Sequence, residues 1–284
     1  MSCAQPLQDD ALPLWRRDPR ADGAGEPVLF VHGFAHNHAV WSGVADALPS
    51  RWRPISVDLR GHGASPWSPP GCYAIEDHAR DLGALVEELD LRDLHVVAHS
   101  MGGNAATLFA AVSPRRVRSL TLVDTGPALS TRGTSQVLDE VEEALRSFPT
   151  IEAYRKVLSA MHPFAEAPLL DRLSESSLVR RLDGRFEPAL DPGVMGGVDA
   201  VFDPEVVEAR LWEAFCAVEC PILVARGSSS SVLQPEAAKR MADAHPEGRV
   251  QVDVFEGAGH AVMIDTSEAF LRALVVFLEA IPAD

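Results

Sequence analysis

The chain has 284 residues, 46% of them hydrophobic and 23% charged, the proportions of a globular protein with a sizeable core. Its net charge of −16 is spread along the chain and supplies no basic face, which argues against nucleic acid and anionic membrane as partners. Cys3, Cys72, Cys216 and Cys220 show neither zinc spacing nor a disulfide framework, and no apolar run reaches membrane-spanning length. The first ten residues lack the basic and apolar segments of a secretion signal, so the expectation is a cytoplasmic protein.

In chain order, residues 13–17 read as a short antiparallel strand followed by a turn through 18–25. Short runs rich in Val, Ile and Leu follow at 28–32, 55–59, 94–98, 119–124, 222–226 and 250–255. Helical patterns lie between them, near 38–48, 76–89, 102–112, 235–244 and 267–280. That alternation predicts an α/β protein, a mostly parallel sheet covered by helices on both faces. One interval breaks the rhythm. From 126 to 216 helical patches at 134–147 and 151–161 give way to Arg-, Asp-, Gly- and Pro-rich sequence through 183–197, with no convincing strand of the main sheet. The reading is a core of residues 1–125 and 217–284 and a helical cap of residues 126–216, inserted after the strand ending at Asp124. An insertion there would sit over the crevice where open parallel sheets bind ligands.

Residues 96–103, Val-Val-Ala-His-Ser-Met-Gly-Gly, carry the chemistry. They read as a buried strand turning sharply into a helix with Ser100 at the apex and Ala98 and Gly102 two residues to either side. This approximates the G-x-S-x-G nucleophile elbow, with alanine in place of the first glycine. Small flanking residues let the strained turn hold the hydroxyl clear of the sheet, and the new helix points its first N–H groups at developing negative charge.

The order of motifs resembles the α/β-hydrolase superfamily over nearly the whole chain. His32-Gly33-Phe34 follows one strand, Asp58-Leu59-Arg60-Gly61-His62-Gly63-Ala64-Ser65 the next, then comes the elbow, and Gly257-Ala258-Gly259-His260 follows the last strand. The resemblance implies Ser100 as nucleophile, His260 as general base, and the backbone N–H groups of Phe34 and Met101 as the oxyanion hole. It implies loop-shaping roles for His32, Asp58, Arg60 and His62, and neither metal nor cofactor. His36 and His38 form an H-x-H pair without the carboxylate or cysteine of a metal site, and His36 is read as a substrate contact. His162 in Met161-His162-Pro163-Phe164 and Trp212 are further candidates, Trp212 as part of an apolar lid with Phe148, Phe164, Phe186, Phe202 and Phe215.

The chain departs from the pattern at the triad acid. Many relatives place it after the second-to-last strand, where this chain has Arg226-Gly227-Ser228-Ser229-Ser230-Ser231-Val232-Leu233, with Ser231 at the aspartate's place. Asp124 is the best replacement, because it closes the strand after the elbow helix and some branches of the superfamily take their acid from that strand end. A Ser–His pair without an acid, a carboxylate from the cap, and an engineered or degenerate site stay open beside it. The expected activity is hydrolysis of a carboxylic ester or lactone of a small apolar molecule. Thioester or C–C bond hydrolysis, cofactor-free oxygenation, and a non-catalytic ligand-binding role remain as alternatives. Oligomeric state is not legible.

Overall fold

The computed structural model describes residues 11–69, 72–194, 204–245 and 248–282. The expectations placed on Cys3, on the first ten residues, on residues 195–197 and on Phe202 lie outside them. The strands are β1 (Arg16–Arg17), β2 (Glu26–Val31), β3 (Trp52–Val57), β4 (Leu94–His99), β5 (Val117–Val123), β6 (Leu178–Arg180), β7 (Phe186–Pro188), β8 (Ile222–Gly227) and β9 (Val250–Phe255). Seven of them form one sheet in the order β1-β3-β2-β4-β5-β8-β9, parallel throughout except for the antiparallel edge strand β1. β6 and β7 pair separately as a small antiparallel hairpin.

The helices are α1 (Ser42–Ala45), α2 (Ile75–Glu88), α3 (Ser100–Val112), α4 (Thr131–Ala144), α5 (Ile151–Met161), α6 (Ala167–Ser176), α7 (Pro204–Ala217), α8 (Pro235–Ala244), α9 (Val262–Asp265) and α10 (Ser267–Ala280). Strand side chains alternate between two apolar clusters, as the period of two requires. From β2, Val28 and Phe30 join the cluster with Trp41, Phe270 and Leu274, while Leu29 and Val31 join the one with Leu82, Leu85 and Phe109. Each fully buried side chain of this kind contributes about 1.5–3 kcal/mol. The central strands are therefore apolar on both faces, which is why they read as unbroken Val/Leu/Ile runs.

Between the adjacent strands β5 and β8 the chain makes α4, α5, α6, the β6–β7 hairpin and α7. Tyr154 and Leu158 of α5 and Leu169, Leu170 and Leu173 of α6 share the Phe30–Trp41 cluster. Backbone bonds from Gly63 to Ala189 (2.7 Å) and from Asp191 to Gly61 (2.8 Å) tie the segment after the hairpin to the loop behind β3. α4 is anchored at its start. Ser130 N–H bonds the Val232 carbonyl at 3.0 Å, and Gly133 lies so close to the Ser231–Val232 backbone that a β-carbon there would collide with it.

α7 lies elsewhere. It packs against α3, and its Phe215 is fully buried in the cluster beneath the sheet. Trp212 sits edge-on to Phe215 at 5.9 Å with the Arg240 guanidinium 4.7 Å above its ring. The aromatic side chains that suggested a lid over the crevice are, on this helix, core packing on the opposite side.

Candidate active site

β2 and β4 are neighbours, while the chain leaves β2 toward β3 on one side and returns to β4 on the other. That reversal opens a crevice at the carboxyl ends of the two strands, the place where open α/β sheets bind ligands. β4 ends at His99, and α3 begins at Ser100, whose φ of +51° lies in the left-handed region. A serine pays a steric penalty there of order 1–2 kcal/mol, and such strain concentrates at sites where a side chain must be aimed. The turn is possible because Gly102 faces the His32 carbonyl with no space for a β-carbon.

Ser100 Oγ donates to His260 Nε2 at 3.0 Å, and His260 Nδ1 donates to Asp124 Oδ2 at 2.8 Å. This is the geometry of a hydroxyl facing one nitrogen of an imidazole whose other nitrogen meets a carboxylate. Asp124 is fully buried, follows β5 directly and has a φ of +49°. Its Oδ1 accepts from Gly227 N–H at 3.1 Å, and its Oδ2 also accepts the Ser230 hydroxyl. Ser230 Oγ in turn accepts from Val232 N–H at 3.1 Å. So the serine run after β8 supplies a hydroxyl to the acid at the end of β5. Ser230 makes that contact, and Ser231 lines the cavity.

His260 stands in the loop between β9 and α9. His99 Nε2 donates to the His260 carbonyl at 3.0 Å, with the two rings 4.6 Å apart. Gly259 N–H donates to Asp265 Oδ2 at 2.9 Å, and Ser229 N–H to the Ala258 carbonyl at 3.0 Å. Burial, reinforced by the neighbouring His260 and His36, holds the His99 imidazole well below its ordinary pKa, so it stays neutral. His99, Ser230 and Asp265 were not singled out in the sequence. For His99 a signal existed, since a polar ring directly before the elbow serine must touch whatever stands over it.

A cavity of about 220 Å³ opens at Ser100 and His260, with Phe34, His36, His162 and Ser231 in its wall. Met101 follows Ser100 in the first turn of α3, where N–H groups have no partner within the helix. The two histidines of the H-x-H pair diverge. His36 faces the cavity, and burial pushes its pKa well below the usual value. His38 turns to Asp58, 2.9 Å away, and packs on Trp15. Trp212 has no part in the cavity wall, for the packing reason given above. Ser100, His260, Asp124, Phe34, His36 and His162 converge on one place, with Met101 beside Ser100 in the first turn of α3.

Such a sheet, with a serine, a histidine and a carboxylate in line at its carboxyl edge, defines an α/β hydrolase. The chain belongs to the alpha/beta hydrolase fold family, whose sequence profile matches residues 26–267. It is 29% identical over 261 residues to 2-(acetamidomethylene)succinate hydrolase of Mesorhizobium japonicum, covering 92% of this chain and 91% of that one. The crystal structure of E-2-(acetamidomethylene)succinate hydrolase superposes with a TM-score of 0.82 at 27% identity, over 94% of this chain and 100% of that one. An esterase of Mycobacterium tuberculosis is 28% identical over 266 residues, 89% of this chain and 83% of its own. The crystal structure of an esterase from that organism gives a TM-score of 0.73 at 26% identity, over 97% of this chain and 92% of that one. A non-heme chloroperoxidase of Kitasatospora aureofaciens is 29% identical over 263 residues, 90% of this chain and 93% of its own.

Proposed function

We propose that this chain is a serine hydrolase that cleaves a carboxylic ester or lactone of a small, largely apolar molecule. The observation that carries the reading is the unbroken line of hydrogen bonds from Ser100 through His260 to Asp124. Ser100 Oγ attacks the carbonyl carbon while its proton passes to His260 Nε2, and Asp124 offsets the charge of the imidazolium. The carbonyl oxygen, now negative, rests on the backbone N–H groups of Phe34 and Met101. The C–O bond to the leaving alcohol then breaks as His260 returns the proton. Water, giving a proton to His260, attacks the acyl carbon; the bond to Ser100 Oγ then breaks as His260 returns that proton to the serine, and the acid leaves. No cofactor enters these steps.

Helices α4 to α6 and the hairpin act as a cap, setting the shape of the cavity over Ser100. Among the described residues the cavity wall holds no lysine or arginine, which favours a neutral substrate. Two carboxylates, as a succinate carries, would find no cation there to offset their desolvation. The setting proposed for it is the cytoplasm, where thiols such as Cys216 and Cys220 stay reduced.

The test is p-nitrophenyl butyrate turnover together with fluorophosphonate labelling of Ser100. Hydrolysis by the wild type, with labelling abolished in Ser100→Ala, supports the proposal. A folded protein that neither turns over the ester nor takes the label is a binding protein on the same scaffold.

A further inference from the structure

Beside the Ser100–His260–Asp124 line stands a second histidine–carboxylate pair that the reaction as written does not use. α5 ends at Met161, His162 caps it with its N–H on the Leu158 carbonyl at 2.8 Å, and Pro163 prevents the helix from continuing. The His162 ring is thereby delivered to the cavity wall. Its Nδ1 lies 3.0 Å from Asp265 Oδ1, while Asp265 Oδ2 accepts from Gly259 N–H, next to His260. A carboxylate only accepts, so Nδ1 carries a proton, and in the neutral ring the Nε2 lone pair is left over. Among the described residues Nε2 has no hydrogen-bond partner.

The position of that lone pair is informative. Beside the cavity at Ser100 lies a small recess of about 30 Å³, whose lining includes Val141, Ala144, Leu145, Tyr154, Leu158 and Met161. His36 and His162, with Val141 and Met161, belong to the walls of both spaces, and so stand between them. His36 Nδ1 is buried there without a partner. A buried polar atom of this kind is costly unless a ligand satisfies it, and the Nε2 of His162 faces the same wall.

We propose that His162, oriented by Asp265, is a specificity residue whose Nε2 accepts a hydrogen bond from a neutral donor on the substrate, a hydroxyl or an amide N–H placed between the scissile carbonyl and a short apolar end. The inference rests on Ser100 being the nucleophile. The substrate it describes has three parts in order: a carbonyl at Ser100, a donor at the His36–His162 wall, and an alkyl group against the apolar recess. Asp265 is a positioning residue, fixing which ring nitrogen carries the proton.

The test uses three p-nitrophenyl alkylphosphonates, with butyl, 3-hydroxybutyl and 3-methoxybutyl chains. In each the Ser100 Oγ–P bond forms as the bond to p-nitrophenolate breaks, the serine proton going to His260, and the released p-nitrophenolate gives the rate. The wild type should react about tenfold faster with the hydroxyl probe than with the butyl probe, the worth of one good neutral hydrogen bond. His162→Asn keeps a donor for Asp265 but lacks Nε2, and the hydroxyl-to-butyl ratio should fall to about one. Asp265→Asn still accepts from Gly259 but donates to Nδ1, forcing the ring proton onto Nε2. That variant should raise the methoxy-to-butyl ratio, because an ether only accepts, while the hydroxyl probe can turn to either role and keeps its preference; loosened packing would not produce that change. Equal wild-type rates with hydroxyl and butyl probes, or a preference that survives in His162→Asn, overturn the inference while leaving the nucleophile assignment in place. Failure of all three probes to label Ser100 in folded protein overturns the hydrolase reading, and this inference with it.

Discussion

Ser230 and His260 donate to the same carboxylate oxygen, Oδ2 of Asp124. The hydroxyl arrives from the loop after β8, where the second-to-last strand of the sheet ends, and the acid stands at the end of β5. The two strands are adjacent, with Val123 beside Ala225, so the contact needs no long reach. Ser230→Ala would leave Asp124 with one fewer partner and Val232 N–H with none from that side chain. The expected result is a fall of about three- to tenfold in kcat for p-nitrophenyl butyrate and a loss of about 1 kcal/mol in stability by urea titration. Unchanged kinetics would show that the hydroxyl only shapes the loop.

Asp124→Asn should be far more severe. An amide can donate to His260 Nδ1 and so favour the tautomer with its proton on Nε2, facing Ser100, where no base is then available. Turnover should drop by roughly 10²–10⁴ with little change in KM. Activity that survives the substitution would move the acid to another carboxylate.

Gly102→Ala probes the elbow through packing instead of chemistry. The added β-carbon meets the backbone oxygen of His32, which cannot move without displacing the turn that carries Phe34. Overpacking of this kind typically costs about 1–3 kcal/mol. A lowered melting temperature together with slower fluorophosphonate labelling is expected. A melting temperature equal to the wild type's would mean that the two strand ends separate easily.

The protein should be acid-sensitive over a definite interval. Burial is the leading cause that lowers the pKa of His32 to about 4, His62 to about 3 and His95 to about 4. A histidine depressed in the folded state binds its proton more readily when unfolded, so its contribution is intact above its unfolded pKa of about 6.5 and is lost as pH falls toward the folded value. Each such group withdraws up to about 1.4 kcal/mol per pH unit in that window. Urea midpoints should hold steady from pH 8 to 7 and fall steeply between pH 6.5 and 4. A midpoint that stays level to pH 4.5 would contradict the burial of these imidazoles.

Much of this was legible because the relevant signals are local. The strands of the sheet announce themselves as apolar runs, being buried on both faces, and the elbow announces itself through Gly102 and its neighbours. Asp124 was legible from its place one helix and one strand beyond Ser100. The β6–β7 hairpin was not, because strands as short as Leu178–Arg180, with Val179 and Arg180 exposed, have no face to pattern. Trp212 misled for a related reason: an aromatic residue in a helix records that something covers it, not which side of the sheet that something occupies. The serine run drew attention to Ser231, where a family pattern expects an acid. Which serine hydroxyl turns toward Asp124 depends on the loop's path, and one residue of displacement changes the answer to Ser230. His99, His162 and Asp265 gain their relation to His260 only when the ends of β4, α5 and α9 meet, a convergence that no single stretch of chain encodes.

The seam between Gly133 and Ser231 bears on how such a protein can be rebuilt. Segments far apart in the chain meet there, one opening α4 and the other cradling Asp124, and they fit only because position 133 lacks a side chain. A graft that imports another relative's insertion without its matching loop would set a β-carbon against that backbone and disturb Ser230 beneath it. Pocket shape and carboxylate placement are therefore inherited as one block, and recombination libraries that shuffle them independently should yield mostly inactive chimeras.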